Sequence, residues 1–180
     1  MPPARKKTLL EIARDYAIDC HESTNHQYGG HPYEVHLQMV VDVAEQFLHL
    51  IPKERQEIVL ASCWLHDSIE DTRQTYNDVS VLCGHEVADI VYALTNEKGR
   101  NRKERANEKY YQGISLTEYA TFVKLCDRIA NVKHSVNTNS RMLQKYRDEY
   151  FDFQKNLFFT GQEYLYLWDE LHTILFEGIK

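Results

Sequence analysis

Apolar residues recur every three to four positions along most of the chain, which is the period of an amphipathic helix. Thr8 and Glu11 have the spacing of a capping box, and an apolar stripe follows them to Cys20. Alternation typical of a strand is convincing nowhere, so the sequence predicts an all-α fold. The predicted helices cover residues 8–20, 32–48, 53–66, a short segment before Gly84, 85–95, 116–136, 140–159 and 162–177. At roughly 150 residues per domain, this length predicts a single domain over 1–180.

Two segments lack the helical pattern. Residues 21–32 contain histidines, two glycines and a proline, and we expect them to form a loop. Residues 96–113 are polar and basic, and Ser115 with Glu118 offers a second capping box for the long helix that follows. Within this stretch, 98–109 carries six basic residues against two acidic ones. It is either a solvated charge run or a phosphate clamp, because arginine binds phosphate oxygens in a bidentate manner.

Charge and composition exclude several classes of protein. Lys and Arg number 21 against 27 Asp and Glu, so the formal net charge is −6. A general nucleic-acid binder is normally basic, so we expect no nucleic-acid partner, although a small phosphate site is compatible with this charge. No uncharged apolar run is long enough to span a membrane. The 4 cysteines have no zinc-finger or disulfide spacing, so we expect buried thiols and a cytoplasmic protein.

Acidic residues collect at the end of the apolar segment 53–66. His66 and Asp67 are followed one helical turn later by Glu70 and Asp71. The helix dipole disfavours carboxylates at a helix C-terminus by about 0.3–1 kcal/mol each, and a bound cation would remove that cost. The alternative is an ordinary solvated helix end.

Two further polar residues occupy unexpected positions. Asp127 lies within the apolar segment 122–132, where an unpaired carboxylate would be costly to bury. Arg128 could pair with it only after bending round the helix. His36, at the start of the second predicted helix, is the other unusual position. Each residue alone has an ordinary explanation, but together they suggest a shared site.

That shared site would be a metal centre. The candidate ligands are His36, His66, Asp67 and Asp127. Mixed imidazole and carboxylate ligation suits a borderline divalent ion such as Mn, Fe or Zn better than Ca or Mg. Such an ion activates water and polarises a phosphorus centre. Glu70 and Asp71 are candidates to hold or deprotonate that water.

The spacing H…HD…D resembles that of the HD superfamily of metal-dependent phosphohydrolases. Three longer motifs narrow the resemblance: PY-x-x-H (32–36), HD-x-x-ED-T (66–72) and VKLCDRIAN (123–131). Together they resemble the hydrolase domain of the RelA/SpoT homologues, and above all the stand-alone small alarmone hydrolases of the metazoan SpoT-homologue type. The likeness covers about 8–177 and implies a single-domain HD-type helical bundle.

The resemblance also implies an activity, the removal of the 3′-pyrophosphate from (p)ppGpp with Mn²⁺ as cofactor. In this family the residues that correspond to His36, His66, Asp67 and Asp127 bind the metal. Those that correspond to Glu70 and Asp71 position and activate water. Asn131 corresponds to an asparagine that contacts the nucleotide, and Lys98 to a lysine near the phosphates.

One loop departs from the family pattern. The family usually has an Arg-Lys pair before PY-x-x-H that lines the nucleotide pocket, whereas residues 21–31 contain histidines and no Arg or Lys. The proline that commonly follows the histidine of PY-x-x-H in this family is also replaced, by Leu37. We therefore expect His26 and Arg102 to contribute to substrate binding, with phosphate recognition that is weaker, pH-dependent through imidazole, or directed at another ligand.

The sequence is compatible with two alternative functions. The chain could be an HD phosphohydrolase for another nucleotide, such as a nucleoside monophosphate or NADPH. It could also be a catalytically silent nucleotide-binding regulator. The presence of all the candidate ligands and both candidate acids argues against a silent domain, which has no physical need for the full set.

Overall fold

The computed structural model describes residues 5–160 and 162–178, and within them the predicted all-α fold is confirmed. The helices are α1 (Leu9–Ser23), α2 (Glu34–Gln46), α3 (Gln56–Leu65), α4 (Ser68–Asp71), α5 (Tyr76–Cys83), α6 (His85–Leu94), α7 (Arg102–Arg105), α8 (Glu108–Leu116), α9 (Ala120–Asn137), α10 (Met142–Leu157) and α11 (Leu165–Phe176). Short 3₁₀ turns occur at Leu48–Leu50, Lys53–Arg55 and Gln162–Tyr164. The strands β1 (Gln27–Tyr28) and β2 (His31–Pro32) form a small antiparallel hairpin.

The two predicted capping boxes have different outcomes. At the start of α1, the Thr8 hydroxyl accepts from the Glu11 amide and the Glu11 carboxylate accepts from the Thr8 amide, as predicted. The second box is wrong, because Ser115 lies inside α8 and α9 begins after Tyr119, which has a φ of 62° and no side-chain cap. Two buried residues of α8, Tyr110 and Ile114, are enough to anchor a helix that the polar composition of this stretch conceals.

Helix α9 is the centre of the core. It packs against α2, α3, α6, α10 and α11, and most of its side chains are buried. Phe122, Val123, Leu125 and Ile129 are fully enclosed, and burial of each such side chain contributes about 1.5–3 kcal/mol. Because α9 is surrounded by other helices, Asp127 on this helix is carried into the interior.

The segment 21–32 is more ordered than the predicted loop. Helix α1 continues to Ser23, and Gln27 pairs with Pro32 across the hairpin. Gly29 and Gly30 form its turn with φ values of 58° and 85°, a region that glycine adopts without steric cost. A hairpin this short is set by its glycines rather than by alternation of apolar residues, which explains why strand periodicity does not reveal it.

The cysteines and the absence of long apolar helices in the described residues agree with the sequence. All four cysteines are free and buried, as expected. Among the described residues, no helix combines the length and the apolar character needed to cross a membrane. The expectation of a single domain over 1–180 stays a prediction.

Candidate metal centre and adjoining cavity

The chain turns sharply between α3 and α4, and this turn carries His66 and Asp67. The Nδ1 atom of His66 lies 2.8 Å from the Cys63 carbonyl, which can only accept, so Nδ1 carries the proton and donates. The Nε2 atom of His66 is then the ring nitrogen that faces the other residues of the cluster. His36, in the first turn of α2, brings a second Nε2 atom to the same place, 3.3 Å from that of His66.

Two carboxylates complete this cluster. The Asp67 Oδ2 atom lies 3.0 Å from His66 Nε2 and 3.6 Å from His36 Nε2. The donor atoms of His36, His66 and Asp67 all lie within 4.8 Å of one another. From α9, the Asp127 Oδ1 atom lies 3.3 Å from His36 Nε2 and 3.7 Å from His66 Nε2. The structure therefore brings together the four residues that the sequence suggested as ligands.

The electrostatics of the cluster suit a divalent cation. His36 and His66 are buried, yet their pKa values are raised, because the two aspartates outweigh the effect of burial. Burial alone would raise the pKa of Asp67 and of Asp127, but both pKa values lie well below the usual range. The largest opposing effect on Asp67 comes from the charge of His66, and that on Asp127 from the charge of Lys124. Two imidazoles and two ionised carboxylates that converge in the interior are the donor set of a borderline metal ion.

Lys124 is a partner of Asp127 that the sequence analysis did not identify. Its Nζ atom lies 2.9 Å from Asp127 Oδ2, from a position three residues earlier on α9. Arg128, the partner considered from the sequence, donates instead to Glu149 Oε2 at 3.0 Å and stacks on Phe153 at 4.4 Å. The i,i+3 spacing of Lys124 and Asp127 on a predicted helix is a signal that could have found this pair.

The two acids of the HD-x-x-ED motif have different surroundings. Glu70 accepts from the Asn96 backbone amide at 3.0 Å and from the Asn96 side-chain amide at 2.7 Å, so its carboxylate is fixed in orientation. Among the described residues, none makes a hydrogen bond to the Asp71 carboxylate, which lines the adjoining cavity. Although Asp71 is exposed, desolvation by the surrounding protein and then the negative charges of Asp67 and Glu70 raise its pKa to about 7.

A cavity of about 810 Å³ adjoins the cluster, a size typical of nucleotide and cofactor sites. His36, Asp67 and Asp127 lie at its wall with both motif acids. Its lining also includes Arg102 and Tyr146. Glu149 accepts two hydrogen bonds from Arg102, at 2.7 and 3.2 Å, and fixes this guanidinium at the cavity.

The remaining candidate substrate residues lie in different places. Asn131 lines the cavity, but its side-chain amide donates to Asp127 Oδ1 at 2.5 Å. Lys98 is exposed and does not line the cavity. His26 does not line it either, and its ring stacks on that of Tyr33 at 3.9 Å. Of the basic stretch 98–109, Arg102, Lys103 and Arg105 line the cavity.

Comparison with curated proteins finds related sequences. No family model matches the chain. The guanosine-3′,5′-bis(diphosphate) 3′-pyrophosphohydrolase MESH1 of Drosophila melanogaster is 32% identical over 102 residues, which are 56% of this chain and 57% of that protein. MESH1 of Danio rerio is 29% identical over 69% of this chain and 67% of its own length. The GTP pyrophosphokinase rsh of Brucella melitensis is 31% identical over 73% of this chain but only 17% of its own length. The chain thus spans 57% of the Drosophila relative.

Comparison with solved structures supports the fold. A metazoan orthologue of SpoT that hydrolyses ppGpp superposes with a TM-score of 0.64 and 23% sequence identity. The superposition covers 87% of this chain and 87% of that chain. At this identity the similarity establishes a shared helical fold.

Proposed function

The chain resembles the HD-type alarmone hydrolases in sequence and has the fold of a metazoan SpoT orthologue, and from this we propose its function. It is a metal-dependent pyrophosphohydrolase that removes the 3′-pyrophosphate from (p)ppGpp and leaves GDP or GTP. The observation that carries this proposal is the convergence of two buried imidazoles and two carboxylates at the wall of a nucleotide-sized cavity. A small nucleotide as partner and a cytoplasmic location are parts of the same proposal.

The metal ion would be held by His36, His66, Asp67 and Asp127, with Mn²⁺ as the expected ion. When bound, it supplies Lewis-acid polarisation of the phosphoryl group and acidifies water. The protein fixes the geometry of these ligands. The Cys63 carbonyl sets the tautomer of His66, and Lys124 binds the Asp127 oxygen that faces away from the imidazoles.

Glu70 and Asp71 would divide the handling of water. The Glu70 carboxylate is fixed by Asn96 and is suited to orient a water molecule beside the cluster. Asp71 has a pKa of about 7 and no hydrogen-bond partner among the described residues, so its carboxylate can accept a proton near neutral pH. We therefore assign proton transfer to Asp71 and positioning to Glu70.

The basic residues that line the cavity would bind the nucleotide. Arg102 presents a guanidinium that Glu149 already orients, and Lys103 and Arg105 add positive charge to the lining of the cavity. These cations fit the phosphate-clamp interpretation of the basic stretch, because a pyrophosphate group needs cationic donors besides the metal. Lys98 and His26 are less suited to direct contact, since neither lines the cavity.

A second candidate substrate has a specific observation in its favour. Asp148, Glu149 and Asp152 also line the cavity, and the segment 21–31 supplies no Arg or Lys. These carboxylates and the absence of basic residues in 21–31 make the cavity less positive, which disfavours binding of a densely charged alarmone. A nucleotide with fewer charges at the scissile group, such as NADPH or a nucleoside monophosphate, is therefore the alternative substrate.

Phosphate and pyrophosphate release from a small nucleotide panel would test the proposal. The wild type is incubated with Mn²⁺ and ppGpp, NADPH or GMP, beside the Asp127→Ala variant as the metal-site control. We expect the highest kcat/KM for ppGpp, with pyrophosphate as product and no activity in the variant. Cleavage of NADPH or GMP without cleavage of ppGpp would transfer the assignment to the second substrate class.

A further inference from the structure

The hairpin formed by β1 and β2 lies beside the candidate metal centre, since the Tyr28 ring stacks on that of His36 at 4.6 Å. A Cβ atom on Gly29 would lie 3.2 Å from the His134 ring on α9, which is tighter than an ordinary contact. The turn therefore packs directly on the His134 side chain of α9, and a larger residue would require that ring to shift. This close approach brings two tyrosines, Tyr28 in β1 and Tyr33 just after β2, next to the cluster.

Tyr33 contacts one of the carboxylates directly. Its hydroxyl donates to Asp67 Oδ2 at 2.5 Å, and this is the same oxygen that lies 3.0 Å from His66 Nε2. A carboxylate oxygen has two acceptor positions, so a proton from Tyr33 occupies one and directs the other toward the imidazoles. The Tyr33 ring is itself fixed by stacking on His26 at 3.9 Å and on His21 at 4.4 Å.

Tyr28 reaches the other carboxylate through one intermediate residue. Its hydroxyl donates to Asn131 Oδ1 at 2.9 Å, and the Asn131 amide nitrogen donates to Asp127 Oδ1 at 2.5 Å. Because the ionised Asp127 carboxylate can only accept, Asn131 presents its NH₂ group to Asp127 and its oxygen to Tyr28, and the donating Tyr28 hydroxyl holds that orientation. The Tyr28 ring also stacks on His36 at 4.6 Å.

We propose that Tyr28 and Tyr33 are positioning residues for the metal ion, and that the hairpin of this chain serves the metal centre rather than the substrate phosphates. Each tyrosine fixes the oxygen of one carboxylate that faces the two imidazoles. Asn131 acts as the link between Tyr28 and Asp127. The inference rests on the proposed function only in that both require a divalent ion at His36, His66, Asp67 and Asp127.

Metal affinity measured without substrate tests this inference. Tyr33→Phe and Tyr28→Phe each remove one hydroxyl and keep the ring that stacks in the hairpin. The matched control is Tyr150→Phe, because Tyr150 is buried as Tyr33 is and its hydroxyl accepts from Gln154 at 3.2 Å, outside the metal cluster. Binding of Mn²⁺ is followed by competition with a fluorescent chelator, and thermal unfolding of the metal-free proteins is recorded in parallel.

We expect each hairpin variant to bind Mn²⁺ roughly 10- to 100-fold more weakly than wild type, the usual effect of losing a hydrogen bond to a metal ligand. The double variant should bind more weakly still, whereas Tyr150→Phe should bind as wild type does. Metal-free melting temperatures of the hairpin variants should fall no further than that of the control. Unchanged Mn²⁺ affinity in both hairpin variants would overturn the inference and leave the proposed reaction standing. Reduced affinity without any cleavage of ppGpp by the wild type would instead support the inference and contradict the proposed function.

Discussion

Replacement of Lys124 by methionine isolates the role of the buried cation beside the metal cluster. Lys124→Met keeps an unbranched side chain that is one atom shorter and removes its charge. The Nζ atom lies 2.9 Å from Asp127 Oδ2, and the two side chains are 17% and 11% exposed. Removal of one partner from a buried ion pair costs about 3–5 kcal/mol, because the other charge remains uncompensated.

The structure places the expected loss at the lower end of that range. Asp127 keeps the Asn131 amide and the two imidazoles as partners, so we expect the metal-free variant to lose about 3 kcal/mol of unfolding free energy. A bound divalent ion supplies a new positive charge to the same carboxylate, and the loss should then fall to about half. The variant must consequently bind metal more tightly, and a difference of about 1.4 kcal/mol corresponds to a tenfold change in affinity.

Urea unfolding in EDTA and in a fixed concentration of Mn²⁺ measures both quantities. Lys133→Met is the matched control on the same helix, since Lys133 pairs with Glu170 at 2.8 Å but with side chains 24% and 34% exposed. The control should lose no more than about 1 kcal/mol, equally in both conditions. A loss below 1 kcal/mol for Lys124→Met in EDTA, or an equal loss with and without Mn²⁺, would refute this reasoning.

Three further predictions concern the metal, the acids and pH. Elemental analysis should find about one divalent ion per wild-type chain and almost none in Asp127→Ala, and equal contents would contradict the ligand assignment. Glu70→Gln and Asp71→Asn should retain the metal but reduce turnover roughly 10²-fold, whereas wild-type rates in both would exclude a role in water activation. Burial lowers the pKa of His21 to about 4, below its value of about 6.5 in the unfolded chain. Its contribution to stability is therefore fully present above about pH 6.5 and is lost as the pH falls toward 4. The difference in unfolding free energy between wild type and His21→Phe should change across that window, and a constant difference would contradict the assignment.

The sequence is most informative where chemistry conflicts with local pattern. Asp127 inside an apolar helix and the acids after His66 are costly unless something pairs with them, so their positions predict a shared site before any coordinates are known. Helical periodicity also places the main elements correctly, because the apolar stripes of the helices pack into one shared core. The misplaced acids and the helical periodicity can both be recognised within a short segment of sequence.

Other features depend on contacts between distant segments. The short hairpin is set by its two glycines and by packing on His134, and alternation over two residues gives no detectable pattern. Helix α8 is anchored by two buried residues in a polar stretch, so its composition resembles that of a loop. The bonds from Asn96 to Glu70 and from Tyr28 to Asn131 join residues 26 and 103 positions apart, which no local spacing could indicate.

Analysis of the products after a single turnover of ppGpp in H₂¹⁸O with Mn²⁺ tests the proposed reaction most directly. Water that attacks the phosphorus bonded to the 3′ oxygen becomes part of the departing pyrophosphate, so mass spectrometry should find pyrophosphate with one ¹⁸O atom and unlabelled GDP. Asp127→Ala should yield neither product. Labelled orthophosphate, label in GDP, or intact ppGpp under conditions that cleave NADPH would contradict the proposed pyrophosphohydrolase.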